Sequence, residues 1–403
     1  MLRFTTAGES HGAALVAILE GMPAGLRLVA SDVDTQLARR QTGYGRGKRM
    51  QIETDSVEIL SGVRAGETMG SPISMLVRNR DWRNWEDIMD PAPDASAGDD
   101  QTLRKRAVTR PRPGHADLAG MLKYARDDAR DILERASARE TTARVAAGAV
   151  CRIMLAALGV SIGSHVVELG EVVARRPSAW PADLNAAADD SELRTLDRDA
   201  ESRMIALIDN AKRSGDTLGG ICEVVVTGLP VGLGSHVSWE TKLDGRLAGA
   251  LMSIQAVKGV EIGMGFAAAR LAGSRVHDEI DPSDAAVSRG RLARRSNNAG
   301  GLEGGMTTGE PLVLRVAMKP ISTLMRPLAS VEMTTRQSAA STVERSDVTA
   351  VPAMGVIAEA MTAFVLAQAA LEKFGGDSMQ EVLRNHAGYL RYLAGRDRPP
   401  QAE

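Results

Sequence analysis

Cysteine, aromatic residues and net charge are all scarce in this chain, and each scarcity excludes something. Only Cys151 and Cys222 occur among 403 residues, far apart and in apolar or strand-like contexts. Neither a disulfide framework nor a thiolate metal site is expected, and a reducing cytoplasm suits the composition. Phe, Trp and Tyr make up 3% of the chain, and 49 basic side chains nearly balance 51 acidic ones, for a formal net charge of -2. With few rings to stack on bases and no global field to draw a polyanion or an anionic membrane, nucleic-acid and membrane partners are disfavoured. Any anion site has to be local.

Long apolar runs are also lacking. The longest, Ala353 to Leu371, is interrupted by Gly355, Glu359 and Gln368, which predicts a buried core helix and not a membrane span. Met1-Leu2-Arg3-Phe4 shows no signal-peptide pattern. No G-x-G-x-x-G follows a first strand, so the dinucleotide fingerprint is absent, and residues adjacent in sequence, as Ser10 and His11 are, rarely orient as nucleophile and base.

What the chain does have is 44% hydrophobic content, enough for a large core, and short reactive clusters set among glycines. Gly8-Glu9-Ser10-His11-Gly12 brackets an acid, a hydroxyl and an imidazole between residues that let the backbone turn sharply. Read alone, it admits a phosphate-anion-binding serine hydrolase using Ser10 and His11. Ala13 to Leu19 then suits a strand, Ser31 with Asp34 a capping box opening a helix through Arg40, and Met50 to Val63 a hairpin around Asp55-Ser56. Arg39 to Arg49 places cations among Gly43, Gly45 and Gly47, which suits a flexible anion clamp or, equally, a solvated surface loop. Asp90 to Gln101 reads as a long loop.

Arg110-Pro111-Arg112-Pro113-Gly114-His115-Ala116-Asp117 holds Arg112 and His115 on a path stiffened by two prolines, before a helical pattern from Leu118 to about Leu133. Arg135 and Arg139, four apart, share a face if the segment is helical, either gripping an anion or forming an ion-pair ladder with Glu134 and Glu140. Ala143 to Leu158 and Leu243 to Met252 suit helices, and Cys222 to Val226 and Leu312 to Met318 suit strands. The basic segment Asp281 to Asn298 suits a cover over an anionic site or a solvated loop, and the glycine cluster Ala299 to Met306 suits a cradle for a ring or a phosphate.

Taken together, Gly8-Glu9-Ser10-His11-Gly12, Arg112-Pro113-Gly114-His115-Ala116-Asp117, Arg135-Ala136-Ser137-Ala138-Arg139-Glu140-Thr141, Lys319-Pro320-Ile321-Ser322-Thr323 and Arg345-Ser346-Asp347 resemble chorismate synthase across nearly the whole chain. That resemblance implies an α+β fold, a single-domain β-α-β-α sandwich over residues 1–403 with antiparallel sheets packed around a helical layer, assembled as a homotetramer. Mobile loops are expected near 39–49, 90–110 and 281–298.

The implied reaction is the anti-1,4-elimination of phosphate from 5-enolpyruvylshikimate-3-phosphate, with reduced FMN required although no net redox change occurs. His11 then resembles the acid that protonates the leaving phosphate, and His115 the histidine that serves the reduced flavin. Asp347, relayed through Ser10 and Ser137, resembles the base. Implied FMN contacts are Arg135, Ala136, Ser137, Gln255, Ala256, Gly304, Lys319, Pro320, Ile321, Ser322, Thr323 and Arg345. Arg40 and Arg46 match NADP positions, and Arg46, Arg49, Arg112 and Arg139 are the substrate candidates. The chain is compact, which favours a member that takes reduced FMN from an external flavin reductase over one that reduces its own flavin with NADPH.

Overall fold

The computed structural model describes residues 1–47, 54–92, 106–281, 293–344 and 346–396. Strand β1 (Arg3–Ala7) turns into β2 (Ala14–Glu20), with Arg3 opposite Glu20 and Ala7 opposite Val16. Along β2, Leu15, Ala17 and Leu19 are buried in alternation, the period expected of a strand with one face on the core. Helix α1 (Ala30–Gln41) begins differently from its expected capping box. Val29 is the N-cap, Asp32 accepts its N–H at 3.3 Å, and Asp34 instead accepts from Val57 N–H at 2.7 Å. Arg39 and Arg40 belong to the last turn of α1, so the expected loop starts only at Thr42.

The hairpin expected around Asp55-Ser56 is not found among the described residues. Strand β3 (Val57–Ile59) pairs with a strand well downstream, and the tight hairpin is β4 (Val63–Arg64) with β5 (Glu67–Thr68). Ala65 and Gly66 join them with φ values of 52° and 80°, which gives a two-residue turn that twists with its strands. Residues 50–53 of the expected hairpin lie outside the described residues. Strand β6 (Ile73–Arg78) lies between β2 and β3, and the first sheet runs β1-β2-β6-β3, antiparallel throughout.

After the one-turn α2 (Glu86–Met89), the helix expected from Leu118 to Leu133 is two helices, α3 (Asp117–Tyr124) and α4 (Arg130–Ala136). Ala125 breaks them with a left-handed φ of 51°, and Asp128 accepts the N–H groups of Arg130 and Val108 at 2.8 Å each. A carboxylate that offers the backbone a local partner ends one helix and starts the next. Helix α5 (Thr141–Ala157) then leads into β7 (Ser161–Leu169) and β8 (Val172–Val173). Next come α6 (Leu184–Asp189), α7 (Arg198–Ser214), β9 (Gly220–Thr227), α8 (Leu243–Met252) and β10 (Val257–Ile262).

Two short pairs follow, β11 (Ile280–Asp281) with β12 (Ala293–Arg294) and β13 (Leu302–Glu303) with β14 (Met306–Thr307). Strand β15 (Leu312–Met318) completes the second sheet, in the order β10-β15-β9-β7-β8 and again antiparallel. The hairpin β16 (Ala329–Val331) with β17 (Ser338–Ala340) precedes the long helix α9 (Val351–Phe374) and α10 (Met379–Arg396).

Helices α1 and α5 line the first sheet, while α9 packs on α5 and on β7, β9 and β15 of the second, so a helical layer lies between two antiparallel sheets. This is the α+β arrangement expected. Helix α9 is long and apolar enough to cross a membrane, yet 83% of that stretch is buried inside the fold. Two of its polar residues are satisfied, Gln368 donating to Leu2 O at 2.8 Å and Glu359 meeting arginines from three other segments, while the buried Thr362 hydroxyl has no hydrogen-bond partner among the described residues. On α5, Gly148 allows the close crossing, because a Cβ there would stand 2.5 Å from the Ala360 Cβ.

Candidate active site

The loop Gly8 to Gly12 joins β1 to β2 at the end of the first sheet. Gly8 has a φ of 99°, and a Cβ on it would lie 2.2 Å from Ala14 O, so no other residue fits there without moving the strand. The loop is docked on α4: Ser10 N–H donates to Glu134 O at 3.0 Å, and His11 N–H to Glu134 Oε2 at 2.8 Å. His11 Nδ1 lies 2.8 Å from Glu134 Oε1. That nitrogen is therefore committed to Glu134, which removes it as the base of a Ser10–His11 hydrolytic couple. Ser137, extended just beyond the end of α4, donates its hydroxyl to Ser10 Oγ at 3.1 Å.

Beneath the loop lies a buried network. Asp55 receives Arg40 Nη2 on Oδ2 at 2.9 Å and Arg139 Nη1 on Oδ1 at 2.6 Å. Arg139 Nε donates to Asn79 Oδ1 at 2.9 Å, and Asn79 Nδ2 donates to Gly12 O at 2.6 Å and Glu9 O at 3.1 Å. Burial pushes the Asp55 carboxyl up, and the Arg139 and Arg40 charges outweigh it and hold it below its usual range. Burial, reinforced by the charges of Arg139 and Arg46, lowers the Arg40 guanidinium to about 10 despite the opposing pull of Asp55.

Arg135 and Arg139 do not share a helix face. Helix α4 ends at Ala136, and the chain then extends at Ser137 before a short turn over Ala138–Glu140. Arg139 goes inward to Asp55, whereas Arg135 stays 42% exposed and reaches Thr6 O at 2.7 Å and Gly8 O at 3.1 Å. Of the expected ladder, Arg135 keeps a pair with Glu140 at 3.8 Å, while the closer pairs are Arg130 with Glu134 and Arg144 with Glu140. Further along, Asp347 receives Gly47 N–H at 2.6 Å and faces Arg46 at 3.0 Å. Tyr44 donates to Asp209 at 2.9 Å, which ties this glycine-rich stretch to α7.

The second histidine has a matching support. Asp117, fully buried, accepts from Arg112 N–H at 3.0 Å, Arg112 Nε at 2.8 Å and His115 Nδ1 at 2.5 Å. Burial raises its carboxyl, and the His115 and Arg112 hydrogen bonds overcome that and hold it far below the usual aspartate range. Arg112 also donates to Thr323 Oγ1 at 2.9 Å, and both Ser322 and Lys319 donate to Gly114 O. Burial, then the nearby Lys258 charge, lowers the Lys319 ammonium.

Lys319 N–H donates to Ala256 O at 3.0 Å, and Ala256 holds a left-handed φ of 66°, uncommon for a residue with a side chain. Its neighbour Gln255 donates Nε2 to Glu140 Oε2 at 2.9 Å, while Gln255 Oε1 is buried without a partner. Burial pushes the Glu140 carboxyl up, and the Arg144 charge with the bonds from Gln255 and Thr6 holds it below its usual range. Arg112, His115, Lys319, Ser322, Thr323, Gln255, Ala256 and Arg135 thus form one connected wall, with Ile321 O fixed by the Thr217 hydroxyl and Pro320 against Gly219.

Gly304 is not part of that wall. It turns the β13–β14 hairpin, whose Gly305 O receives Leu243 N–H at the start of α8, while Gln255 and Ala256 follow the end of α8, about 15 Å away along the helix. Arg49 and Arg345 lie outside the described residues, as do 93–105 and 282–292 of the expected mobile loops. In what is described of the basic segment, Arg294 pairs with Glu303 and Arg295 with Glu279.

Sequence reading missed Asp55, Asn79 and Trp85 as site residues, left Asp117 without a role, and gave Glu134 and Glu140 only a place in an ion-pair ladder. The partners of Asp55, Asn79, Glu134 and Glu140 lie up to 134 residues away, so no local spacing marks those contacts, whereas Asp117 sits two and five residues from its partners His115 and Arg112, within a motif that could have shown its role.

The comparisons with known proteins agree with one another. A family profile described as chorismate synthase matches residues 2–371. The chorismate synthase of Geobacter sulfurreducens is 57% identical over 396 residues, covering 98% of this chain and 99% of that protein. That of Pelobacter propionicus is 58% identical over 396 residues, with the same two coverages. A solved structure, "Crystal Structure of Chorismate Synthase", superposes with a TM-score of 0.77 at 43% identity and covers 98% of both chains.

Proposed function

The chain belongs to the chorismate synthase family, lyases of the shikimate pathway and aromatic amino acid biosynthesis, and from that premise we propose its reaction and cofactor. The reaction is the anti-1,4-elimination of phosphate from 5-enolpyruvylshikimate-3-phosphate to chorismate, dependent on reduced FMN. The observation that carries this reading is the paired histidine support: each imidazole is held at Nδ1 by a buried carboxylate that is itself ion-paired to an arginine. Such groups are oriented for proton transfer next to a highly anionic ligand.

The residues fit a flavin. Gln255 Oε1 is a buried acceptor awaiting a donor, Ala256 turns its backbone toward the same place, and Arg135 and Lys319 supply positive charge for a phosphate tail. Ala136, Ser137, Pro320 to Thr323 and Arg345 complete the set that would hold it. Reduced flavin, when bound, supplies electron density for the departure of an allylic phosphate and an acceptor for the hydrogen. Gly304, by the opposite end of α8 from Gln255 and Ala256, lies apart from this set.

His11 gives its proton to the leaving phosphate, and His115 with Arg112 steadies the reduced flavin and a substrate carboxylate. Arg46 and Arg49 hold the substrate's anionic groups, whereas Arg139, a substrate candidate from the sequence, has its guanidinium 3% exposed and bound to Asp55 and Asn79, and so supports the loop from beneath. Asp347 accepts the proton at the end of the cycle, and Ser10 and Ser137, already joined at 3.1 Å, carry it. Of the two arginines matched to NADP, Arg46 has the more open guanidinium, whereas that of Arg40 is 3% exposed and spent on Asp55.

The deciding experiment is anaerobic phosphate release from 5-enolpyruvylshikimate-3-phosphate with reduced FMN, run in parallel with NADPH and oxidised FMN. Turnover in the first arm alone assigns an external flavin reductase as partner. Release in neither arm overturns the reaction. His11→Ala and Asp347→Asn are expected to lose about 10²- to 10⁴-fold in turnover while still binding flavin.

A further inference from the structure

His11 is gripped from two directions by residues outside every motif. The Glu134 carboxylate, 2% exposed, faces Nδ1 with both oxygens, at 2.8 and 3.0 Å, and receives Arg130 Nη1 at 3.0 Å. Burial raises this carboxyl, but the His11 hydrogen bonds and the Arg130 charge outweigh burial and hold it below the usual glutamate range. An ionised carboxylate only accepts hydrogen bonds, so the proton between them sits on Nδ1. On the ring face, Trp85 stacks on His11 with centroids 3.9 Å apart and planes 28° from parallel.

The indole is itself fixed. Its Nε1 donates to Asp81 Oδ2 at 3.1 Å, and the guanidinium groups of Arg106 and Arg130 lie 4.3 and 4.9 Å from its ring centroid. Arg130 therefore braces both partners of His11 at once, over Trp85 with its plane and onto Glu134 with Nη1. It is anchored in turn to Glu344 at 3.2 Å and Arg106 O at 2.8 Å.

We propose that Glu134 and Trp85 are positioning residues that fix the tautomer and ring plane of His11, so that any proton it delivers leaves from Nε2. This rests on reading His11 as the proton donor to the leaving phosphate. In the imidazolium, the Nδ1 proton is retained by Glu134, the Nε2–H bond breaks, and its electron pair stays on nitrogen while the proton joins a phosphate oxygen. The ring is left neutral in the Nδ1–H tautomer that Glu134 already favours, so delivery needs no reorientation. Which nitrogen carries the proton in a neutral histidine is set by the hydrogen bond at the other, and here that bond is charge-assisted and buried.

The test is imidazole ¹⁵N NMR of the full-length protein, whose 6 histidines are few enough to assign His11 by its loss in His11→Ala. Neutral His11 is expected as the Nδ1–H tautomer in the wild type and as the Nε2–H form in Glu134→Leu; an Nε2–H ring in the wild type overturns the proposal. Kinetically, Trp85→Leu is expected to lower kcat about 10- to 100-fold with little change in KM, while Trp85→Phe, which keeps a stacking face, retains most of the rate. Equal loss in the two overturns the part given to Trp85. If Glu134→Leu does not fold, the wild-type spectrum and the Trp85 pair still decide. The spectrum requires no substrate, so an Nδ1–H ring in a protein that releases no phosphate counts against the functional reading and leaves the positioning intact.

Discussion

Asp117 Oδ1 stands 2.5 Å from His115 Nδ1, and the same carboxylate holds the Arg112 side chain and backbone N–H. Arg112 Nη2 also approaches His115 Nδ1 at 3.1 Å, but an Nδ1–H that donates to Asp117 has no lone pair left to accept, so both groups donate to Asp117. Asp117→Asn places an amide N–H where only donors face it. Turnover is expected to fall about 10²-fold or more, with circular dichroism retaining the native helix signal. A rate within twofold of wild type removes Asp117 from the mechanism.

Asn79 is the link between the buried arginines and the catalytic loop. Asn79→Ala leaves the Gly12 carbonyl and Arg139 Nε without the partner each now has, at a cost of about 1–3 kcal/mol for buried groups. Because Gly12 borders His11, reduced thermal stability is expected together with a lower kcat. Loss of stability with an unchanged kcat assigns Asn79 to the scaffold alone.

Glu359 on α9 meets Arg39 at 2.9 Å, Arg152 at 2.6 Å and Arg194 at 3.1 Å beside a cavity of about 470 Å³. Burial pushes its carboxyl up, and the Arg39, Arg152 and Arg194 charges overcome it and hold the group down to about 2. A depressed carboxyl stabilises the fold above its unfolded pKa and loses that contribution as pH falls through the folded value. Glu359→Gln, which strands three guanidiniums, is expected to cost about 3–5 kcal/mol at neutral pH. The stability gap between wild type and variant then narrows as pH falls from about 4.5 toward 2, as urea midpoints across that window would record. A constant gap contradicts the ionised state of Glu359.

Gly148 faces Ala360 across the closest helix crossing, where an added Cβ would meet Ala360 Cβ, Cα and O at 2.5 to 2.6 Å. Two of those atoms are backbone and cannot swing aside. Gly148→Ala is expected to force α5 from α9 and lower stability by about 1–3 kcal/mol, measured as a shift in the denaturation midpoint. An unchanged midpoint means that the helices have room to separate.

The sequence by itself determined the elements whose pattern is local. Short apolar runs marked β2, β9 and β15, a longer apolar run marked α9, and short motifs marked His11, His115, Ser137 and Asp347 as chemistry-bearing. Such features depend on neighbouring residues and on burial of one face, so they can be read along the chain. Tertiary structure decided the rest. It broke the Leu118 to Leu133 helix at Ala125, set a tight hairpin at Ala65, and sent Arg139 inward while Arg135 stayed at the surface. Above all, it chose the partners of the histidines. Glu134 lies 123 residues from His11, and its carboxylate acquires a direction only once α4 is docked against the β1–β2 loop. A motif names the group that moves a proton, but its tautomer and its plane come from side chains that the fold alone brings into contact.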